Sequence, residues 1–363
     1  RLFTEWFAKG RIPPSCNLPT GLGKTSVIAV WLIALADGAK LPRRLVYVVN
    51  RRTVVDQTTT EAEKLRDTLR KPELAEIVKR LQSLGSGHHT EPLAISTLRG
   101  QHADNREWSA DPSRPAVICG TVDMIGSRLL FSGYRIGFKS RPLHAGFLGQ
   151  DALLVHDEAH LEPAFQKLIE TIQHEQARCC DFRPLRAMGL TATTRGNTAQ
   201  DAQLLSLTSQ DQEHPIIKRR MEAPKRLHLT PVEDDKLAAR KIAEIASGYK
   251  DSNATVLVFV RTLDSISAVE KELGKTKRQV VLLTGTMRGK ERDELVKKPQ
   301  FKRFLKRSEG GETAYLVCTS AGEVGIDISA DHMVSDLSTF ESMIQRLGRV
   351  NRYGERNDTR IDV

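Results

Sequence analysis

Asn17-Leu18-Pro19-Thr20-Gly21-Leu22-Gly23-Lys24-Thr25 sets two glycines, a lysine and a threonine directly ahead of an apolar, helix-like stretch, Ser26 to Ala36. Glycines let backbone N–H groups curl around phosphate oxygens, and the partial positive charge of a helix N-terminus strengthens the attraction. Lys24 can then reach the β and γ phosphates of a nucleoside triphosphate while Thr25 ligates magnesium. Pro19, Thr20, Gly21, Leu22, Gly23, Lys24 and Thr25 are therefore the candidate cradle for ATP with Mg2+. The general phosphate-loop pattern has glycine where this chain has Leu18; the competing reading is a glycine-rich turn before an ordinary helix.

A second cluster follows an apolar strand, Ala152 to His156, which delivers Asp157-Glu158-Ala159-His160 at its carboxyl end. Open α/β sheets bind ligands at that end. Asp157 is expected to hold magnesium and Glu158 to orient and deprotonate the water attacking the γ phosphate, with His160 coupling this site to the second domain. The alternative is two acids favouring the start of a helix near Leu161. His156-Asp157 is also an HD dipeptide, but no other histidine forms the helical ligand set of a dinuclear metal site.

Further on, Gln345-Arg346-Leu347-Gly348-Arg349-Val350-Asn351-Arg352 puts Gln345, Arg349 and Arg352 at i, i+4 and i+7, a spacing that predicts one helical face. Two arginines pointing one way suit an anion, and as fingers on the γ phosphate they would act in catalysis; a solvated basic face is the plainer alternative. Upstream, Thr319-Ser320-Ala321-Gly322-Glu323-Val324-Gly325-Ile326-Asp327-Ile328 offers hydroxyls and glycines to phosphate, with Gly325 and Asp327 assigned to the nucleotide. Thr191-Ala192-Thr193-Thr194 falls between the two regions and resembles motif III of superfamily 2 helicases, a resemblance that makes Thr191 and Thr193 candidate coupling residues.

These residues need a scaffold, and the rhythm of the chain predicts one. Short apolar runs, Leu45 to Val49, Ala116 to Cys119, Ala152 to His156, Arg186 to Leu190, Val256 to Val260, Val280 to Leu283 and Ala314 to Cys318, alternate with amphipathic stretches. That is βαβ alternation, hence α/β with parallel sheets covered by helices on both faces. With 363 residues, 39% of them hydrophobic, two cores of ordinary size are expected. A polar, Gln/Asp-rich stretch from Arg195 to about Pro224 carries the basic cluster Lys218, Arg219 and Arg220, and places the boundary so that the domains are 1–222 and 223–363.

Lys plus Arg exceed Asp plus Glu by 55 to 45, a balance that fits a polyanionic partner without requiring one. Cys16, Cys119, Cys179, Cys180 and Cys318 form no CxxC pair, which favours a reduced, cytoplasmic setting. No apolar run is long enough to span a bilayer and no signal-peptide pattern opens the chain. His88 and His89, with no third ligand nearby, read as part of a polar loop from Leu84 to Thr90. Both ends abut motif-rich sequence, so the chain is expected to be a piece of a longer protein.

In this order the strings resemble motifs I, II, III, V and VI of superfamily 2 helicases. Val46-Tyr47-Val48-Val49-Asn50-Arg51-Arg52-Thr53-Val54-Val55-Asp56-Gln57, Ser96-Thr97-Leu98-Arg99-Gly100, Gly120-Thr121-Val122-Asp123-Met124 with Ser127-Arg128-Leu129-Leu130-Phe131, and His144-Ala145-Gly146-Phe147-Leu148-Gly149 resemble the CRISPR-associated type I helicase-nuclease family, nearest to subtype G, formerly U. The resemblance implies two tandem RecA-like domains with a nucleotide cleft between them. It implies 3′ to 5′ travel on single-stranded DNA after recruitment by an RNA-guided surveillance complex, as a monomer without membrane contact. It also implies a nucleic-acid track through Arg51, Arg52, Arg99, Gly100 and Thr121, then Thr284, Gly285 and Thr319. The family's nuclease domain is expected elsewhere in the parent chain, and its adenine-recognition glutamine motif before Arg1. An RNA or DNA-repair helicase, or a nucleotide-dependent clamp, are the other readings.

Overall fold

The computed structural model describes the chain outside residues 20, 87–88, 99–106, 135, 192–203, 288–290, 292–293, 296, 306–310 and 324–327, and outside the side chains of Thr53, Asp235 and Lys236. The chain divides into two compact units, Arg1–Thr208 and Ser209–Val363.

In the first unit, strands β1 (Ser15–Asn17), β2 (Arg44–Val49), β3 (Ala94–Leu98), β4 (Ala116–Thr121), β5 (Ala152–Asp157), β6 (Arg186–Thr191) and β7 (Leu204–Ser206) make a sheet in the order β3-β4-β2-β5-β6-β1-β7. Every strand pairing in it is parallel. All six residues of β2 and of β4 are buried, as a sheet covered on both faces requires. Alternation divides the covering: Leu45, Tyr47 and Val49 join the cluster with Trp31, Leu32 and Leu35 of the helix Val27–Ala36, while Val46 and Val48 join the cluster with Phe165 and Ile169 of the helix Pro163–Arg178. Tyr47 therefore faces the helix that follows the glycine loop.

The second unit repeats the plan. Strands β8 (Arg226–His228), β9 (Thr255–Phe259), β10 (Gln279–Leu283), β11 (Ala314–Cys318), β12 (His332–Ser335) and β13 (Arg360–Asp362) run parallel in the order β10-β11-β9-β12-β13-β8. Leu257 and Phe259 pack to one side and Val256 and Val258 to the other.

The break between units falls before the basic helix Pro215–Met221, not after it. Specific contacts draw that helix into the second unit: Arg220 lies over the Tyr353 ring at 5.5 Å, and just beyond it Lys225 Nζ donates to the Leu347 carbonyl at 2.9 Å. The five cysteines are free, three buried and two exposed. No described helix is long and apolar enough to cross a membrane.

Candidate functional site

The glycine loop starts where β1 ends. Leu18 N–H donates to the Thr191 carbonyl at 3.0 Å, which ties the loop to the end of β6, and β6 is the neighbour of β5. The two sequence clusters thus meet at the carboxyl edge of one sheet. Gly21 and Gly23 have φ of 87° and 78°, left-handed values that a side chain resists. From Gly23 the backbone enters a tight turn, Lys24–Ser26, that leads into the helix Val27–Ala36.

Lys24 Nζ donates to Glu158 Oε1 at 3.2 Å, with 10% and 14% of the two side chains exposed. Glu158 holds φ 52° and ψ 44°, a left-handed conformation uncommon for a residue with a Cβ and typical of functional positions. Its Oε2 is buried without a hydrogen-bond partner among the described residues and lies 3.6 Å from His160 Nδ1. His160 Nδ1 is itself 3.1 Å from Thr191 Oγ1. Asp157 Oδ1 accepts from the Glu158 N–H at 3.1 Å and Oδ2 from the Tyr47 hydroxyl at 3.1 Å. Burial and the neighbouring Glu158 charge push the Asp157 carboxyl up to about 6 against the opposing pull of Lys24.

This donor set fits a magnesium–triphosphate ligand. It pairs a lysine beside a glycine loop with a hydroxyl at Thr25, a carboxylate at Asp157, and an orphaned carboxylate oxygen on Glu158 that can accept from a water.

In the second unit the expected single face of Gln345, Arg349 and Arg352 is not formed. The helix Phe340–Leu347 stops at Gly348, so Gln345 lies on it while Arg349 and Arg352 follow it. The cause is a bridge between Val350 and Ala330: Ala330 N–H donates to the Arg349 carbonyl at 2.9 Å and Asn351 N–H to the Ala330 carbonyl at 2.8 Å, drawing the chain out of helical geometry. Arg349 is 9% exposed and donates through Nε and Nη2 to the Glu323 carbonyl at 3.2 and 3.0 Å. The Arg352 N–H donates to Ser329 Oγ at 3.2 Å.

A buried ion network braces this turn. Arg346 Nε donates to Glu323 Oε1 at 2.9 Å, and Nη1 donates to Ser335 Oγ, to the Asp336 carbonyl and to Asp336 Oδ1 at 2.7, 2.9 and 2.7 Å. The guanidinium sits 4.8 Å from the Phe259 ring centroid. Neither Glu323 nor Arg346 stood out in the sequence, since arginine beside glutamine in a basic string is indistinguishable from a solvated one. Tyr47 carried a fainter signal, as the one polar side chain between Leu45 and Val49.

The described residues of the proposed track follow or end strands. Arg51 and Arg52 follow β2, with Arg51 capping the helix Arg52–Leu69. Thr121 ends β4, where its side chain accepts from Met124 N–H at 3.3 Å. Since β4 neighbours β2, these residues share the carboxyl edge of the sheet. Thr284 and Gly285 follow β10 and Thr319 follows β11, again neighbours. Thr284 Oγ1 lies 3.0 Å from Thr286 Oγ1, and Gly285 has open space where a Cβ would stand. Thr20, Arg99, Gly100, Thr193, Gly325 and Asp327 lie outside the described residues, as does His88. His89 Nε2 is 3.6 Å from Asp111 Oδ2, and the described residues hold no group of three or more His, Cys, Asp or Glu arranged for a metal ion. His156 is buried edge-on to Phe165 at 5.0 Å, and burial drops its ring to about 4.

With this geometry in place, the chain is similar to known proteins in two ways. The family described as type III restriction enzyme, res subunit, matches residues 15–196, half of the chain. The family described as CRISPR-associated nuclease/helicase Cas3, C-terminal, matches residues 252–355. No curated protein matches. Among solved structures, S. cerevisiae Dbp5 bound to RNA and ADP BeF3 aligns with a TM-score of 0.55 at 18% identity, covering 99% of this chain and 80% of that one. The DUF1998 helicase MrfA bound to DNA aligns with a TM-score of 0.62 at 16% identity, covering 97% of this chain and 44% of its own. Mss116p bound to ssRNA and AMP-PNP gives 0.59 at 17%, covering 96% and 65%. At such identities the likeness is one of fold: tandem RecA-like domains, each a parallel sheet flanked by helices.

Proposed function

The chain belongs to the family of the type III restriction enzyme res subunit, a superfamily 2 helicase-type ATPase core with a Cas3-like C-terminal part, and from this premise we propose that it is an ATP-driven translocase on single-stranded DNA. In this reading it moves 3′ to 5′ in type I CRISPR interference, nearest to subtype G, recruited to an R-loop opened by an RNA-guided surveillance complex. A nuclease domain elsewhere in the parent chain does the cutting.

The observation that carries the ATPase is the meeting of Lys24 with Glu158 at 3.2 Å beside Asp157. Lys24 binds the β and γ phosphates, and in doing so leaves Glu158 free to orient a water. Glu158 takes a proton from that water as its oxygen bonds to the γ phosphorus and the bond to the β–γ bridging oxygen breaks. Thr25 and Asp157 are the residues that would hold Mg2+, which when bound neutralises charge on the phosphate oxygens. In this reading Gln345, Arg349 and Arg352 act on the γ phosphate, and Gly325 and Asp327 on the nucleotide, as the resemblance to superfamily 2 helicases implies. His160, Thr191 and Thr193 pass the hydrolytic event on.

Arg51, Arg52, Arg99, Gly100, Thr121, Thr284, Gly285 and Thr319 grip phosphates without reading bases, and the guide RNA supplies sequence choice. The match to the CRISPR-associated nuclease/helicase Cas3 C-terminal family supports the CRISPR reading. Because structures bound to RNA share the fold, an RNA helicase is the second reading. ATPase assays with single-stranded DNA and with RNA separate the two: stimulation by DNA is expected, and a preference for RNA overturns the CRISPR role. Displacement of a strand from a duplex with a 3′ overhang, absent on a 5′ overhang, distinguishes a motor from a clamp.

A further inference from the structure

Strand β2 is aliphatic on every side of Tyr47, and Tyr47 itself is 1% exposed within the cluster that includes Trp31, Leu32 and Leu35. Phenylalanine would fill that space. What phenylalanine lacks is the hydroxyl, and a polar group sealed in a core is kept there by its partners. The hydroxyl donates to Asp157 Oδ2 at 3.1 Å.

Asp157 is one of the two residues assigned to the metal and stands at the end of β5, the strand paired with β2. The other oxygen of Asp157 is tied to the Glu158 N–H at 3.1 Å. Each carboxylate oxygen thus has one bond that fixes its direction and a remaining lone pair for a ligand. A carboxylate held in this way needs no reorientation when a ligand arrives.

We propose that Tyr47 is a positioning residue of the magnesium site: through its one hydroxyl it sets the orientation of Asp157 before nucleotide binds. The proposal rests on the nucleotide-site reading above and adds a residue to it. Outer partners of metal ligands characteristically govern metal affinity by about 10- to 100-fold, so the effect belongs in Mg2+ dependence and not in the affinity for nucleotide alone.

The test uses the whole chain and a fluorescent ATP analogue titrated in EDTA and at graded Mg2+ concentrations, with thermal melting alongside. In Tyr47→Phe the affinity in EDTA is expected to stay within about twofold of wild type, while the Mg2+ concentration giving half of the magnesium-dependent tightening rises by about tenfold. Tyr47→Leu, which also loses the ring, should show the same Mg2+ shift with a lower melting temperature. If Tyr47→Phe matches wild type and only Tyr47→Leu is impaired, Tyr47 is a packing residue and the proposal is overturned. A Tyr47→Phe protein that no longer folds assigns the hydroxyl to the fold and overturns it equally. A wild-type chain that binds no analogue with or without Mg2+ removes the nucleotide-site reading itself, an outcome distinct from either.

Discussion

Lys24 and Glu158 form a nearly buried ion pair at 3.2 Å, so the cation that should hold phosphate and the acid that should activate water are each other's counter-charge. Removing one leaves the other without its partner at low exposure, which is costlier than losing a surface pair. Lys24→Ala and Glu158→Gln are each expected to lower hydrolysis by at least about 10²-fold, the usual range for a lost catalytic base. Glu158→Gln keeps a side-chain oxygen for Lys24 and should still bind ATP. Phosphate release and equilibrium nucleotide binding check both, and wild-type turnover in either variant rules out the site.

The two arginines of the second unit should fail differently. Arg349→Ala is expected to reduce kcat by about 10³-fold or more, as for a lost arginine finger, with a smaller loss of stability than Arg346→Ala. Arg346→Ala removes a buried cation that bonds both Glu323, 2% exposed, and Asp336. It should destabilise by about 3–5 kcal/mol in urea unfolding followed by circular dichroism. Equal loss of stability in both variants would mean that Arg349 is structural as well.

Gly354 has φ +66°, and a Cβ there would collide with the Arg219 carbonyl oxygen, a backbone atom that cannot swing aside. Gly354→Ala should cost more than about 1 kcal/mol and loosen the helix Pro215–Met221 from the second unit. Faster trypsin cleavage at Lys218, Arg219 and Arg220 is the expected sign, and an unchanged digestion pattern would count against that packing.

Asp111 gives an acid limit to stability. Burial alone would raise its carboxyl, but Ser86 donates at 3.1 and 2.7 Å and Ser113 at 2.9 and 2.5 Å, and together they hold it well below the usual range. Its folded pKa is depressed, so its contribution is complete above the unfolded value of about 3.9 and declines as pH falls below it. Urea unfolding between pH 3 and 6 should show a steeper acid loss in wild type than in Asp111→Asn. Parallel curves would show that Asp111 does not govern it.

Much of this organisation is legible from the residues because the physics is local. A glycine loop entering an apolar helix, and an aliphatic strand ending in two acids, state their positions in a few consecutive residues. Strands β12 and β13 do not, since His332–Ser335 and Arg360–Asp362 are too short to show a period. The break at Gly348 is also invisible locally: spacing continues the helix through Arg349 and Arg352, and only the bridge to Ala330, supplied by a distant stretch, ends it. The Glu323–Arg346 pair is found only by proximity, and the partner of Tyr47 likewise, because the paired residues lie far apart along the chain.

Arg346 and Arg349 both lean on Glu323, but on different parts of it. Arg346 meets the carboxylate, whereas Arg349 meets the main-chain carbonyl. Any residue at position 323 supplies that carbonyl, so drift in sequence there can dismantle one anchorage while sparing the other. The proposed finger is moored to the one feature of its neighbour that the genetic code cannot edit.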